Sequence, residues 1–230
     1  LPDQYLMLYA LFKPERLLDQ LRHYTVFEER QSGTIKMVAR YQQYRAVRRA
    51  LERIDKRGQR EAQGGVVWHT QGSGKSLTML FLALKLRRNE DDPTLLLVTD
   101  RRALNDQIHA TFERCGFPNP KKADSIEDLR DRLSYDAGET ITTLIHKFQT
   151  TDDEVQYPEV NDRENVIVVA DEAHRTQYKS LATNVRDGLP NASHLGFTAT
   201  PIEKEDRSTT NTFGGYISQY TIDQSQKDGS

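Results

Sequence analysis

Cysteine is nearly absent from this chain: Cys115 is the only one in 230 residues. That excludes an internal disulfide and a cysteine-based metal cage, and it fits a reducing compartment. Long apolar runs are missing too. No stretch approaches bilayer length, and the first 22 residues are interrupted by Asp3, Lys13, Glu15 and Arg16, which excludes an uninterrupted secretory signal. These absences predict a cytoplasmic protein with no membrane partner. Charge of one sign is lacking as well. The 32 Lys and Arg against 34 Asp and Glu leave a formal net charge of -2, so any nucleic-acid site must come from a local concentration of cations. The six histidines show no zinc-ligand spacing, and no internal repeat or low-complexity tract breaks the chain.

What is present is enough apolar material for one large α/β domain with attachments, at about 150 residues per domain. The chain begins with Leu1 and ends in the polar stretch 224–230, which reads as a piece of a longer polypeptide. Pro14, followed by Leu17, Leu18 and Leu21 at helical spacing, predicts a helix over 14–23. Residues 24–28 are β-rich and 31–34 read as a turn. Over 40–60, Tyr44, Val47, Leu51 and Ile54 share a face while Arg45, Arg48, Arg49, Arg53, Lys56 and Arg57 cover the rest, a basic amphipathic helix whose cationic side reads as a solvated face.

After Gly64 and Gly65 the pattern changes to short apolar runs alternating with helical segments, the signature of a parallel sheet wrapped by helices. Strands are expected at 66–68, 94–99, 140–145, 166–170 and 194–198. Helices are expected at 75–88, 102–114, 126–134 and 178–187, the third capped by Ser125 with Asp128. The predicted fold is doubly wound α/β with a mostly parallel sheet and an N-terminal helical extension. It divides into an extension over 1–60, a main domain over 61–205 and a connecting segment over 206–230.

Two segments carry chemistry. His69-Thr-Gln-Gly-Ser-Gly-Lys-Ser76 follows a β run and opens a helix, the context of a phosphate-binding loop. Gly72 and Gly74 let the backbone curl so that successive N–H groups point inward, and the helix N-terminus adds positive potential. Lys75 is placed to neutralise β- and γ-phosphates, and Ser76 offers a hydroxyl to Mg²⁺. Thr70, Gln71 and Ser73 complete the candidate cradle. Where the general pattern starts with glycine, this chain has His69.

The second segment, Val166-Ile-Val-Val-Ala-Asp-Glu-Ala-His174, is an apolar strand ending in two adjacent carboxylates. At the carboxyl edge of a parallel sheet, Asp171 would hold Mg²⁺ and Glu172 would orient and deprotonate the attacking water. His174 is either a helix-turn residue or a hydrogen-bonded link from that site to its neighbours. The implied cofactors are ATP and Mg²⁺.

The remaining segments narrow the class. No Asn-Lys-x-Asp guanine-reading sequence occurs. Leu96-Leu-Val-Thr-Asp-Arg-Arg102, Thr142-Thr-Leu-Ile-His-Lys-Phe148, the Asp-Glu-Ala-His box and Gly196-Phe-Thr-Ala-Thr-Pro201 resemble, in order, motifs Ia, Ib, II and III of the second helicase superfamily. The chain more closely resembles the first RecA-like, P-loop NTPase domain of the R (restriction and translocation) subunits of type I restriction enzymes. That resemblance extends into Leu11-Phe-Lys-Pro-Glu-Arg-Leu-Leu18, Val38-Ala-Arg-Tyr-Gln-Gln-Tyr44 and Phe213-Gly-Gly-Tyr216 through Tyr220, so it covers essentially the whole chain.

The resemblance implies an ATP-dependent translocase of double-stranded DNA working with methyltransferase and specificity subunits. It places the nuclease centre before Leu1, and a second RecA-like domain with its arginine finger after Ser230. It assigns Arg40 and Gln43 to adenine reading, and Thr198 and Thr200 to coupling nucleotide state to DNA grip, where the alternative is simple strand termination. Thr99, Arg101, Arg102, Thr143, His146 and Lys147 are the expected DNA-backbone contacts at strand ends. Another helicase of the superfamily, of type III restriction or repair type, and a nucleotide-gated binding module remain as alternatives.

Overall fold

A computed structural model describes residues 12–55, 64–89, 92–135, 138–173, 176–201 and 209–229, with the backbone path alone for 89 and 176–180. Helix α1 (Pro14–His23) leads into an antiparallel hairpin of β1 (Thr25–Arg30) and β2 (Gly33–Val38), then α2 (Tyr41–Ile54). The second strand of the hairpin has no counterpart in the sequence-based expectation: the turn is shorter than 31–34, and 33–38 pairs back on 25–30. The extension is therefore helix, hairpin, helix rather than helical throughout.

Among the described residues the main sheet has seven strands, all with parallel neighbours, in the order β5-β6-β4-β7-β8-β3-β9. They are β3 (Gly64–His69), β4 (Thr94–Thr99), β5 (Lys121–Lys122), β6 (Thr140–Leu144), β7 (Val166–Asp171), β8 (Ser193–Thr198) and β9 (Tyr216–Tyr220). Between them run α3 (Lys75–Asn89), α4 (Arg102–Arg114), α5 (Ile126–Ser134), α6 (Thr176–Gly188), α7 (Thr209–Phe213) and, last, α8 (Ile222–Lys227); a 3-10 turn, Ile145–Phe148, follows β6. The five expected strands and four expected helices are all present. Ser125 Oγ accepts the Asp128 N–H at 3.0 Å, the cap read from the sequence.

The central strands are buried on both faces, which is why they read as unbroken apolar runs. Leu95, Leu97, Ile167 and Val169 pack with Met79, Phe81 and Leu82 of α3 and Ile108 and Phe112 of α4. The alternate residues Leu96, Val98, Val168 and Ala170 pack on the other side with Leu129, Leu133, Phe148, Val185 and Leu189. Helix α3 is buried on several sides, so it lacks a polar stripe. Sequence pattern does not reveal β5 or β9, because one is two residues long and the other carries Ser218 and Gln219 among its apolar residues; β9 falls in the segment expected to be a connection. No helix among the described residues is long and apolar enough to cross a membrane.

Candidate nucleotide and nucleic-acid site

Parallel strands deliver their functional residues at one sheet edge, and here the loop after β3 and the acid pair after β7 reach it on either side of β8. Gly72 and Gly74 have φ of 81° and 79°, the left-handed region that turns N–H groups into the loop's concavity. A Cβ on Gly74 would also meet Gln43 Nε2 at 2.6 Å. The Thr70 N–H donates to Tyr220 O at 2.9 Å, Ser73 N–H to Thr70 O at 3.3 Å, and Thr78 Oγ1 to Gly74 O at 3.1 Å. The Lys75 ammonium leans on the His69 carbonyl oxygen at 3.5 Å. Ser73 Oγ is buried without a hydrogen-bond partner, and Ser76 is half-buried at the start of α3.

Gln43, 3% exposed, touches the loop directly. Its Nε2 donates to Gly74 O at 3.1 Å and its Oε1 accepts the Arg40 backbone N–H at 2.8 Å. The Arg40 side chain is exposed beside it. Gln71 and Gly72 are exposed at the loop tip.

Asp171 ends β7 and is 6% exposed. Burial, and then the neighbouring Glu172 charge, push its carboxyl up to about 6, with Lys75 opposing the shift. Glu172 has φ 54°, a left-handed conformation that a non-glycine residue holds only at some cost, and its N–H donates to Asp171 Oδ1 at 2.9 Å. A carboxylate raised first by burial and then by its acidic neighbour, a partnerless hydroxyl and a loop of left-handed glycines fit a triphosphate with a divalent cation, which would offset the buried charge and give the hydroxyl a partner.

The remaining candidates separate. Arg101, Arg102 and His146 are exposed, Arg101 lying 3.9 Å from Asp100 Oδ2. Thr99 and Thr143 are fully buried at the ends of β4 and β6, two inner strands of a sheet covered on both faces, and Thr99 Oγ1 donates to Arg101 O at 3.3 Å. Lys147 is 8% exposed: the 3-10 turn folds it inward, where its ammonium donates to Ala123 O. These three do not face solvent as backbone contacts would. Thr198 is buried and its Oγ1 accepts the Thr200 N–H at 3.1 Å, while Thr200 is exposed. Trp68 Nε1 donates to Ala199 O at 3.0 Å, tying that segment to β3. His174 lies outside the described residues.

Sequence reading missed His69's ring, whose Nε2 lies 3.0 Å from Ser218 Oγ, and the pair of tyrosine hydroxyls, Tyr41 and Tyr220, that share Asp228 Oδ2 at 2.6 and 2.9 Å. No spacing signal could have found either, because the partners lie far apart in the chain and meet only through β9.

The chain is similar to known proteins over nearly its whole length. The type I restriction enzyme HindI endonuclease subunit of Haemophilus influenzae is 39% identical over 97% of this chain. The chain spans only 23% of that relative. Among solved structures, the UvsW helicase from bacteriophage T4 superposes with a TM-score of 0.61 at 15% identity, covering 89% of this chain and 67% of that one. The type ISP restriction-modification enzyme LlaBIII bound to DNA gives 0.59 at 15% identity, over 87% of this chain and 16% of its own. These two likenesses speak for the fold. The SWI2/SNF2 ATPase family profile matches residues 42–230, taking in the phosphate loop, the acid pair and β9 together, and the chain belongs to that family.

Proposed function

We propose that this chain is the ATP-binding motor domain of a type I restriction endonuclease R subunit, and that it drives translocation along double-stranded DNA before cleavage. The observation that carries the reading is the meeting of Lys75, Asp171 and Glu172 at one sheet edge, with Asp171 raised to about 6 by burial and Glu172 and pulled back by Lys75. A plain strand end would have no reason to bury the Asp171 carboxylate within reach of the charge on the phosphate-loop lysine.

Lys75 neutralises charge on the transferred phosphoryl group, and Glu172 orients the attacking water and takes its proton. Ser76 and Asp171 would hold Mg²⁺, whose charge supports the phosphates. Thr70, Gln71, Gly72, Ser73 and Gly74 line the cradle, with Arg40 and Gln43 beside it for the adenine. Arg101, Arg102 and His146 are the exposed candidates for gripping the DNA backbone without reading sequence. The segment containing Thr198 and Thr200, fastened to β3 through Trp68 and Ala199, lies between the loop and the acid pair and is suited to couple them. Methyltransferase and specificity subunits are the expected partners.

The direct test is Lys75→Ala in the intact parent enzyme. It should abolish DNA-stimulated ATP turnover and triplex displacement while leaving the fold intact. Retained triplex displacement would defeat the assignment of the loop. ATP binding without DNA-stimulated turnover in the unaltered enzyme would instead favour a nucleotide-gated binding module.

A further inference from the structure

Position 69 departs from the general phosphate loop, which begins with glycine, and the structure gives the departure a use. The His69 ring is completely buried between the loop and β9. Its Nε2 lies 3.0 Å from Ser218 Oγ, and it meets the Tyr220 ring edge-on at 5.8 Å. The main chain on either side joins the same two elements: His69 O accepts from the Lys75 ammonium, and the Thr70 N–H donates to Tyr220 O. Imidazole loses its hydration here and leaves Nδ1 buried with no partner, while an apolar side chain would instead orphan the buried Ser218 hydroxyl. The bond at Nε2 is thus the one compensating contact the ring makes at its polar atoms. Burial, then the Lys75 charge, hold the ring down to about 4, so it is neutral, and the Ser218 hydroxyl can complement either tautomer.

The other end of the link matters because, among the described residues, β9 is an edge strand with β3 as its only neighbour in the sheet. Its register on β3 shifts between Val66 and Val67, so backbone pairing alone fastens it imperfectly. Tyr220 continues the connection outward, its hydroxyl sharing Asp228 with that of Tyr41 at the start of α2.

We propose that His69 is a positioning residue which, through Ser218, makes β9 and α8 respond to the occupancy of the phosphate loop. Lys75 leaves the His69 carbonyl when it turns to a phosphate; the His69 peptide readjusts, and the ring carries that readjustment to Ser218 and hence to β9. This rests on the phosphate-site reading above.

Hydrogen–deuterium exchange on the intact parent enzyme, with and without a non-hydrolysable ATP analogue and Mg²⁺, separates the two. In the unaltered enzyme the nucleotide should slow exchange in both 69–76 and 216–220. In Ser218→Ala and in His69→Gly, which restores the general loop residue, protection of 69–76 should persist while the nucleotide-induced slowing of 216–220 falls by roughly 5-fold, the worth of one ordinary hydrogen bond. His69→Gln, whose amide nitrogen can reach Ser218, should recover part of the response. A full β9 response in Ser218→Ala overturns the proposal, even if His69→Gly fails to fold. Lys75→Ala is the control for the underlying reading: it should abolish both responses, and a loop response that survives it would overturn the phosphate site itself.

Discussion

Gln43 Nε2 stands 3.1 Å from the carbonyl oxygen of Gly74, so one buried amide joins the first turn of α2 to the phosphate loop. Both halves of that amide are in use, since Oε1 accepts the Arg40 N–H at 2.8 Å. Nε2 also reaches Ser73 O at 3.5 Å, a long contact that a base edge can displace, and one lone pair of Oε1 remains for the base.

Gln43→Ala is therefore expected to act twice. Loss of the two bonds should lower stability by about 1–3 kcal/mol, the net worth of two ordinary hydrogen bonds. In the intact parent, KM for ATP should rise about 10-fold, as for a loss of roughly 1.4 kcal/mol, and the preference for ATP over GTP should shrink. Thermal denaturation and steady-state kinetics with both nucleotides check this; an unchanged KM for ATP would remove Gln43 from the site.

Glu172→Gln keeps the side chain's size and leaves Lys75 and Asp171 in place. ATP binding should survive and hydrolysis should slow by at least ~100-fold, within the range of general acid–base catalysis. Equilibrium nucleotide binding and single-turnover rates on the parent enzyme measure the two separately. Turnover near the unaltered rate would mean another group activates the water.

Asp171 offers a pH test. Burial and then Glu172 raise its carboxyl to about 6, so between its unfolded value of about 4 and that figure the folded state holds a proton that the unfolded state has lost. Stability contributed by the protonated form is present below pH 4 and is lost as pH rises toward 6. Asp171→Asn cannot ionise and should make the nucleotide-free protein more stable at pH 7, on the order of 2 kcal/mol, with the gain vanishing near pH 4. It should also abolish Mg²⁺-dependent turnover. Denaturant unfolding at the two pH values decides it: if Asp171→Asn brings no added stability at pH 7, the carboxylate is not strained by its surroundings.

Arg101 and Arg102 are the exposed cations at the end of β4. Replacing both with alanine should weaken DNA binding across sequences and reduce the slope of log K against log salt by about 2, one for each phosphate that is no longer neutralised. An unchanged slope would place the DNA path elsewhere. Lys147→Ala, by contrast, removes a buried donor to Ala123 and should show in stability rather than in the salt slope.

The sequence by itself determined whatever depends on neighbours along the chain. Gly72, Gly74, Lys75 and Ser76 form a loop because a strand, two glycines and a helix start follow one another. The runs at 94–99 and 166–170 read as central strands because they are apolar without alternation, rich in Val, Ile and Thr, and too short for a buried helix. The pair Asp171 and Glu172 was legible for the same reason, since polar residues abruptly end such a run.

Tertiary structure decided what depends on strand order. The hydrogen bond between His69 and Ser218 spans 149 residues and exists because β9 pairs with β3, a pairing that local propensity does not encode. Thr99 and Thr143 look like free strand-end hydroxyls until paired strands bury them. Lys147 looks like a surface cation until a 3-10 turn aims it at Ala123. Burial is a property of the assembled sheet, and a charge or hydroxyl takes its role from what the fold puts against it.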